Sequence, residues 1–198
     1  MIMSLEKFQE YLSLNPEYAW LLVFAFAFGE SMIITGAFLP SAILFSICIY
    51  LYNTEILSIY IIASVAVIGA HLGDLAGFFL GKTIGPNVIN SKFFEKRQKA
   101  INRVENFLDR YGPYTVILGR FIPAIRPLTP FLLGITDLNS IKFYRADVVA
   151  CLAWGIALIG LVKYVGSISN MITLIIASLI LVAILFIVTQ LRKAKNRS

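Results

Sequence analysis

The chain has 198 residues, of which 59% are hydrophobic and 14% charged, with a mean hydropathy of +0.82 and a net charge of +6. Soluble domains carry about 25% charged residues, and a fold of this size cannot bury so much apolar surface. Disordered, fibrous and soluble-enzyme classes are excluded, and the composition is that of an integral membrane protein.

The first eighteen residues hold Glu6, Glu10 and Glu17 against Lys7 with no small-residue cleavage site, so 1–18 reads as an N-terminal interfacial segment rather than a signal peptide. Block 19–52 is apolar but too long for one crossing, and it is interrupted by Gly29-Glu30-Ser31, Gly36 and Pro40. A helix that enters the membrane, breaks and turns back fits that length, provided protein or a water-filled cavity satisfies the broken backbone. Two short spans joined by a tight turn are the alternative. Span 56–80 follows, carrying Gly69, Gly73, Gly77 and Gly81 at steps of four. Such a stripe admits close approach of a neighbouring backbone, within one chain or between two copies, so a homo-oligomer is one expectation.

Lys82–Arg110 contains seven Lys/Arg against three acids. Phe94, Ile101, Val104, Phe107 and Leu108 alternate with these charges, and a basic amphipathic helix on the inner membrane surface is expected. No nucleic-acid-binding module accompanies the charge, so nucleic acid is not expected as a partner. Block 111–135 is the second irregular one, with Gly112, Pro113, Gly119, Pro123, Pro127, Pro130 and Gly134 around Arg120 and Arg126. Four prolines cannot sit in one regular helix, which favours a second re-entrant element. Spans 146–165 and 171–191 then lead to a basic tail, 192–198.

With the basic segment and the tail placed inside, parity sends the two re-entrant blocks in from opposite faces. The expected fold is an all-α membrane protein in a single domain, with transmembrane helices plus two opposed re-entrant hairpins in an inverted repeat. The breaks at Gly29-Glu30 and Gly119-Arg120 lie 90 positions apart. Broken helices that meet at the midplane of inverted repeats are a common way of building a transporter's substrate site.

Glu30, Asp74, Arg120, Arg126 and Asp147 all fall in or beside apolar stretches. Unpaired at the bilayer centre, five such charges would cost on the order of 10 kcal/mol or more, so they pair, protonate or line water. Two roles compete for Arg120 and Arg126. One is a pair of salt bridges to Glu30 and Asp74 that staple the broken elements. The other is a phosphate clamp, because a guanidinium stays charged and presents a planar fork to phosphate oxygens. An acid in an apolar setting is also a candidate proton carrier, which makes Glu30 a competitor with substrate for an arginine. His71 reads as a hydrogen-bonded packing residue or a proton relay, Asp147 as a helix cap or a functional acid, and Trp154 as packing. One histidine and two isolated cysteines, Cys48 and Cys151, give no metal or disulfide pattern. No cofactor and no catalytic residue is expected.

Gly73-Asp74-x-x-Gly77, continuing to Gly81, resembles the glycine–aspartate motif of the DedA family. Gly119-Arg120-Phe121-Ile122-Pro123-x-x-Arg126, followed by Pro130 and Gly134, resembles that family's most distinctive signature. Glu30 with Pro40 matches the acid and proline of its first re-entrant element, and Asp147 and Trp154 stand where the family often has asparagine and tryptophan. The resemblance covers residues 15–166. It implies a bacterial inner-membrane, multi-pass protein with a cytoplasmic C-terminus that moves a phosphate-headed lipid, undecaprenyl phosphate first and a phospholipid such as phosphatidylethanolamine as the alternative, with protons as a possible driving ion. A proton- or ion-coupled antiporter of small solutes is a further alternative. The implied roles are Arg120 and Arg126 as phosphate ligands, Glu30 as proton-linked acid and Asp74 as ion-pair partner. Proton-coupled members often carry a second acid just after the first proline, where this chain reads Pro40-Ser41-Ala42.

Overall fold

The computed structural model describes residues 12, 14–36, 39, 41–88, 98–122, 125–136 and 138–166. Most of the interfacial segment 1–18, Pro40, Pro123, the span 171–191 and the tail 192–198 lie outside the described residues. Those described are helical, with no strand among them. Block 19–52 forms α1 (Ala19–Ser31), the single turn α2 (Ile33–Gly36) and α3 (Ser41–Asn53). α4 (Ile59–Val88) follows, then α5 (Gln98–Tyr111). Block 111–135 forms a 3-10 turn at Gly112–Tyr114, α6 (Thr115–Arg120) and α7 (Leu128–Ile135), and the described chain ends with α8 (Ser140–Gly166).

Both irregular blocks break where their sequences suggest. α1 stops at Met32, whose backbone is extended (φ −69°, ψ 140°). The turn after α6 satisfies its own backbone, with Ile122 N–H on Gly119 O (3.1 Å) and Arg126 N–H on Ile122 O (3.0 Å). α7 then starts with Pro127 as its N-cap residue and Pro130 in its first turn, where an amide would have no helical partner to lose. Gly112, at φ +56°, closes α5 in the left-handed conformation that lets a helix end there.

α4 is the axis on which both blocks pack. A β-carbon at Gly73 would lie 2.6 Å from the Phe28 carbonyl oxygen of α1, and one at Gly69 2.8 Å from that of Phe24. Further along the same stripe, Gly77 faces Pro130, and Gly81 abuts the backbone of Phe131 in α7. The stripe is therefore covered within the chain, α1 taking one half and α7 the other. Gly81→Ala is expected to destabilise by about 1–3 kcal/mol, because the added carbon meets backbone that cannot swing away. Gly160→Ala, with nothing near its β position, should be neutral or stabilising by up to about 1 kcal/mol. Thermal midpoints of the purified variants in one detergent check the pair.

α4 and α8 are long and apolar enough to cross a membrane, over Ile59–Gly85 and Ser140–Gly166. They leave Tyr60, Ile61, Ile68, Leu72, Val149, Leu152, Ile156 and Leu161 exposed, side chains suited to hydrocarbon rather than water. α8 starts six residues before the expected span because Asn139 caps it: its Oδ1 accepts from the Ile141 amide at 2.8 Å and from Lys142 at 3.4 Å. The amphipathic stretch also differs from expectation in what it packs on. Ile101 and Val104 of α5 lie against Ile125, Leu128, Phe131 and Leu132, so this apolar stripe rests on the second block.

Candidate functional site

The five charges from apolar stretches gather at one place. Glu30 arrives on the last turn of α1, His71 and Asp74 from the middle of α4, Arg120 at the end of α6, Arg126 from the turn after it, and Asp147 and Trp154 from α8. Chain separations between these partners reach 96 residues. The breaks of both blocks take part: Arg126 of the second pairs with Glu30 of the first, and Gly36 backs onto Pro127.

Arg126 Nη1 donates to Glu30 Oε1, and Ser41 Oγ donates to the same oxygen. Arg120 Nη2 pairs with Asp74 Oδ2 and reaches Asp147 Oδ1 at 3.4 Å. The other oxygen of Asp147 accepts from His71 Nδ1 at 2.6 Å and from the Cys151 thiol at 3.6 Å. Tyr144 closes this end, its ring edge-on to His71 with centroids 5.0 Å apart. Both guanidiniums lie over Trp154, with Cζ of Arg126 at 5.1 Å and of Arg120 at 5.9 Å from the ring, so Trp154 is a cation–π floor for the pair as well as packing.

All these charges are buried: Glu30, Asp74, Arg120 and Arg126 are 2–6% exposed and Asp147 is fully enclosed. With His71 neutral, three carboxylates face two guanidiniums. Pairing nevertheless leaves much of the cationic surface unused. Arg120 Nε and Nη1, Arg126 Nε and Nη2, and Glu30 Oε2 are buried with no hydrogen-bond partner among the described residues. A buried donor left unmade costs about 1–3 kcal/mol, more when charged, and four such guanidinium nitrogens lie together here.

The staple and the clamp are thus not exclusive in this geometry. Each carboxylate engages one corner of a guanidinium and orients it, and the remaining nitrogens are buried without a partner among the described residues. Asp147 is not a helix cap: it is the eighth residue of α8 and bridges His71 to Arg120. Gly73, Gly77, Gly119 and Pro130 stand behind the charges, Gly119 allowing α6 to close on Thr129 of α7. Ser41, Tyr144 and Cys151 are site residues that sequence reasoning missed; the only signal was that Ser41 follows Pro40 and that Cys151 lies one helical turn after Asp147. His71 Nδ1, Asp147 Oδ2 and Cys151 Sγ lie within 4.8 Å of one another. That donor set suits a soft divalent cation, but here Asp147 is engaged by both other members.

Comparison with known proteins agrees with the motifs. The VTT domain family model matches residues 15–164. The chain is 32% identical to an uncharacterized membrane protein of Buchnera aphidicola over 69% of this chain and 54% of that one. It is 27% identical to the inner membrane protein YabI of Escherichia coli over 74% of this chain and 58% of YabI. It is 26% identical to the Escherichia coli protein DedA over 69% of this chain and 64% of DedA. The chain spans just over half the length of the first of these curated relatives. No solved structure matches. With the motif Gly119–Arg126 inside a match that covers residues 15–164, the chain belongs to the VTT-domain, or DedA, family of membrane proteins.

Proposed function

We propose that this protein moves a phosphate-headed lipid between the leaflets of the bacterial cytoplasmic membrane, with undecaprenyl phosphate as cargo. The observation that supports this most is the set of four guanidinium nitrogens of Arg120 and Arg126 without a partner among the described residues, buried beside the Trp154 ring. The barrier to lipid flipping is desolvation of the headgroup. Two arginines already oriented by Asp74, Asp147 and Glu30 replace the headgroup's water without reorganising, and the hydrocarbon chain stays in the bilayer. Their fork geometry suits the oxygens of a terminal phosphate.

Charge balance adds a proton to this reading. Three carboxylates and two arginines leave no excess positive charge for a doubly ionised phosphate. Entry of the headgroup is therefore accompanied by proton uptake, with Glu30 as carrier because its Oε2 is buried without a partner among the described residues. In this scheme blocks 19–52 and 111–135 are opposed re-entrant hairpins of an inverted repeat, and segment 82–110 and the C-terminus lie on the cytoplasmic side.

Native mass spectrometry of the purified protein tests the clamp. Wild type is expected to retain undecaprenyl phosphate in preference to phosphatidylethanolamine, and Arg126→Ala is expected to lose it. Equal retention of any anionic lipid by both proteins would make Arg126 a staple only.

A further inference from the structure

α3 begins at the arginine site. Ser41, its first residue, is the hydroxyl that donates to Glu30. Ala42, Phe45, Ser46 and Ile49 follow at i, i+3, i+4 and i+7, one face of the helix. On α8, Trp154 lies under both guanidiniums, and Leu161 and Val165 come seven and eleven residues later on the same face. Ala42, Phe45, Ser46, Ile49, Leu161 and Val165 together line an open cavity of about 240 Å³ between the two helices.

The lining is mostly apolar. The Ser46 hydroxyl is engaged by the Ala42 carbonyl at 2.8 Å, and the other side chains are hydrocarbon or aromatic. From Ala42 to Ile49 the groove runs about 10 Å along α3 at 1.5 Å per residue. One end is covalently next to Ser41, and so next to the ion pair of Arg126, whose Nε and Nη2 are buried without a partner among the described residues. At its outer wall Leu161 is exposed, as are Leu152 and Ile156 earlier on the same helix, while the exposed Lys163 nearby turns its ammonium onto the Tyr60 ring at 5.9 Å. The space therefore has guanidinium donors near one end, is apolar along its length and opens sideways beside Leu161.

We propose that the α3–α8 groove seats the first part of the hydrocarbon chain of the lipid whose phosphate lies at Arg120 and Arg126, so that the protein selects its cargo by tail as well as by head. This rests on the phosphate reading of the arginines. Ala42 and Leu161 are the residues that set the width: one is the smallest side chain of the lining, the other its exposed wall.

The test uses the full chain in detergent micelles with two probes that share a headgroup, butyl phosphate and hexadecyl phosphate, in wild type, Ala42→Phe and Leu161→Trp. Partition of the long probe into micelles is common to all three proteins and cancels in the comparison. Each filling variant is expected to weaken hexadecyl phosphate by about tenfold, the equivalent of about two methylenes withdrawn from burial, and to leave butyl phosphate unchanged. Leu161 is exposed, so Leu161→Trp keeps the test valid if Ala42→Phe does not fold. Unchanged hexadecyl phosphate binding in the variants would overturn the proposal and point to another occupant, such as the apolar segment 171–191. Equal loss of both probes would also overturn it, since that reports damage at the arginines. Failure of wild type to bind butyl phosphate would overturn the phosphate reading itself, and the tail groove with it.

Discussion

Arg126→Lys is expected to fold and to bind a phosphate-headed lipid at least about tenfold more weakly than wild type, a loss of about 1.5–3 kcal/mol for one charge-assisted hydrogen bond. Lysine keeps the positive charge and a donor for Glu30, so the ion pair between the two broken blocks survives. What it removes is the planar fork, and with it the Nε and Nη2 donors that have no partner among the described residues. It also removes the flat cation that lies 5.1 Å from the Trp154 ring centroid. A staple needs only the charge, whereas a clamp needs the fork. Arg120→Lys should behave alike, although Asp74 and Asp147 both bear on that position. The dissociation constant of a soluble alkyl phosphate, measured on folded wild type and variant side by side, checks this. Wild-type affinity in Arg126→Lys would assign the residue to the staple alone.

Removing the acid instead of the arginine gives the largest expected stability effect. Glu30→Ala leaves a buried guanidinium without its counter-ion, since Arg126 has no second carboxylate partner among the described residues. Breaking a buried pair from one side costs about 3–5 kcal/mol, whereas replacing both partners with apolar groups is often close to neutral. The double variant Glu30→Ala/Arg126→Met is therefore expected to be more stable than Glu30→Ala, and Glu30→Gln, whose amide oxygen still accepts from Arg126 and Ser41, should fall between. Denaturation midpoints in the same detergent rank the three. A double variant no more stable than the single one would show that Glu30 acts mainly on the first block, through Ser41 and the end of α1, and not through the arginine.

The parts of this site legible in the sequence are those where a residue type is improbable in its setting. Five charges in apolar stretches, prolines that no continuous helix tolerates and a glycine stripe at one helical face carry physical meaning before any fold is known. That is why Glu30, Asp74, Arg120, Arg126 and Asp147 were found. Partner choice was not legible at the same level, because it spans 46 residues for Arg120 with Asp74 and 96 for Arg126 with Glu30. Ser41 escaped notice because serine is ordinary anywhere; its role comes from where α3 starts. The stacking of both guanidiniums on Trp154 depends on α8 passing beneath them. Helix ends were misjudged where hydropathy and hydrogen bonding part company. Lys82 and Thr83 end the apolar run of α4, yet the helix continues as Thr83 returns its hydroxyl to the Phe79 carbonyl at 2.9 Å, and Asn139 starts α8 in polar sequence.

The most direct measurement is leaflet exchange itself, in proteoliposomes carrying a fluorescent polyprenyl phosphate whose outer-leaflet fraction is read by a membrane-impermeant quencher. Wild type is predicted to exchange the lipid well above the protein-free rate and above a phosphatidylethanolamine analogue, and Arg120→Lys/Arg126→Lys to fall to the protein-free rate. Exchange by the double lysine variant equal to wild type, or none by wild type, would contradict a transport path through the two arginines.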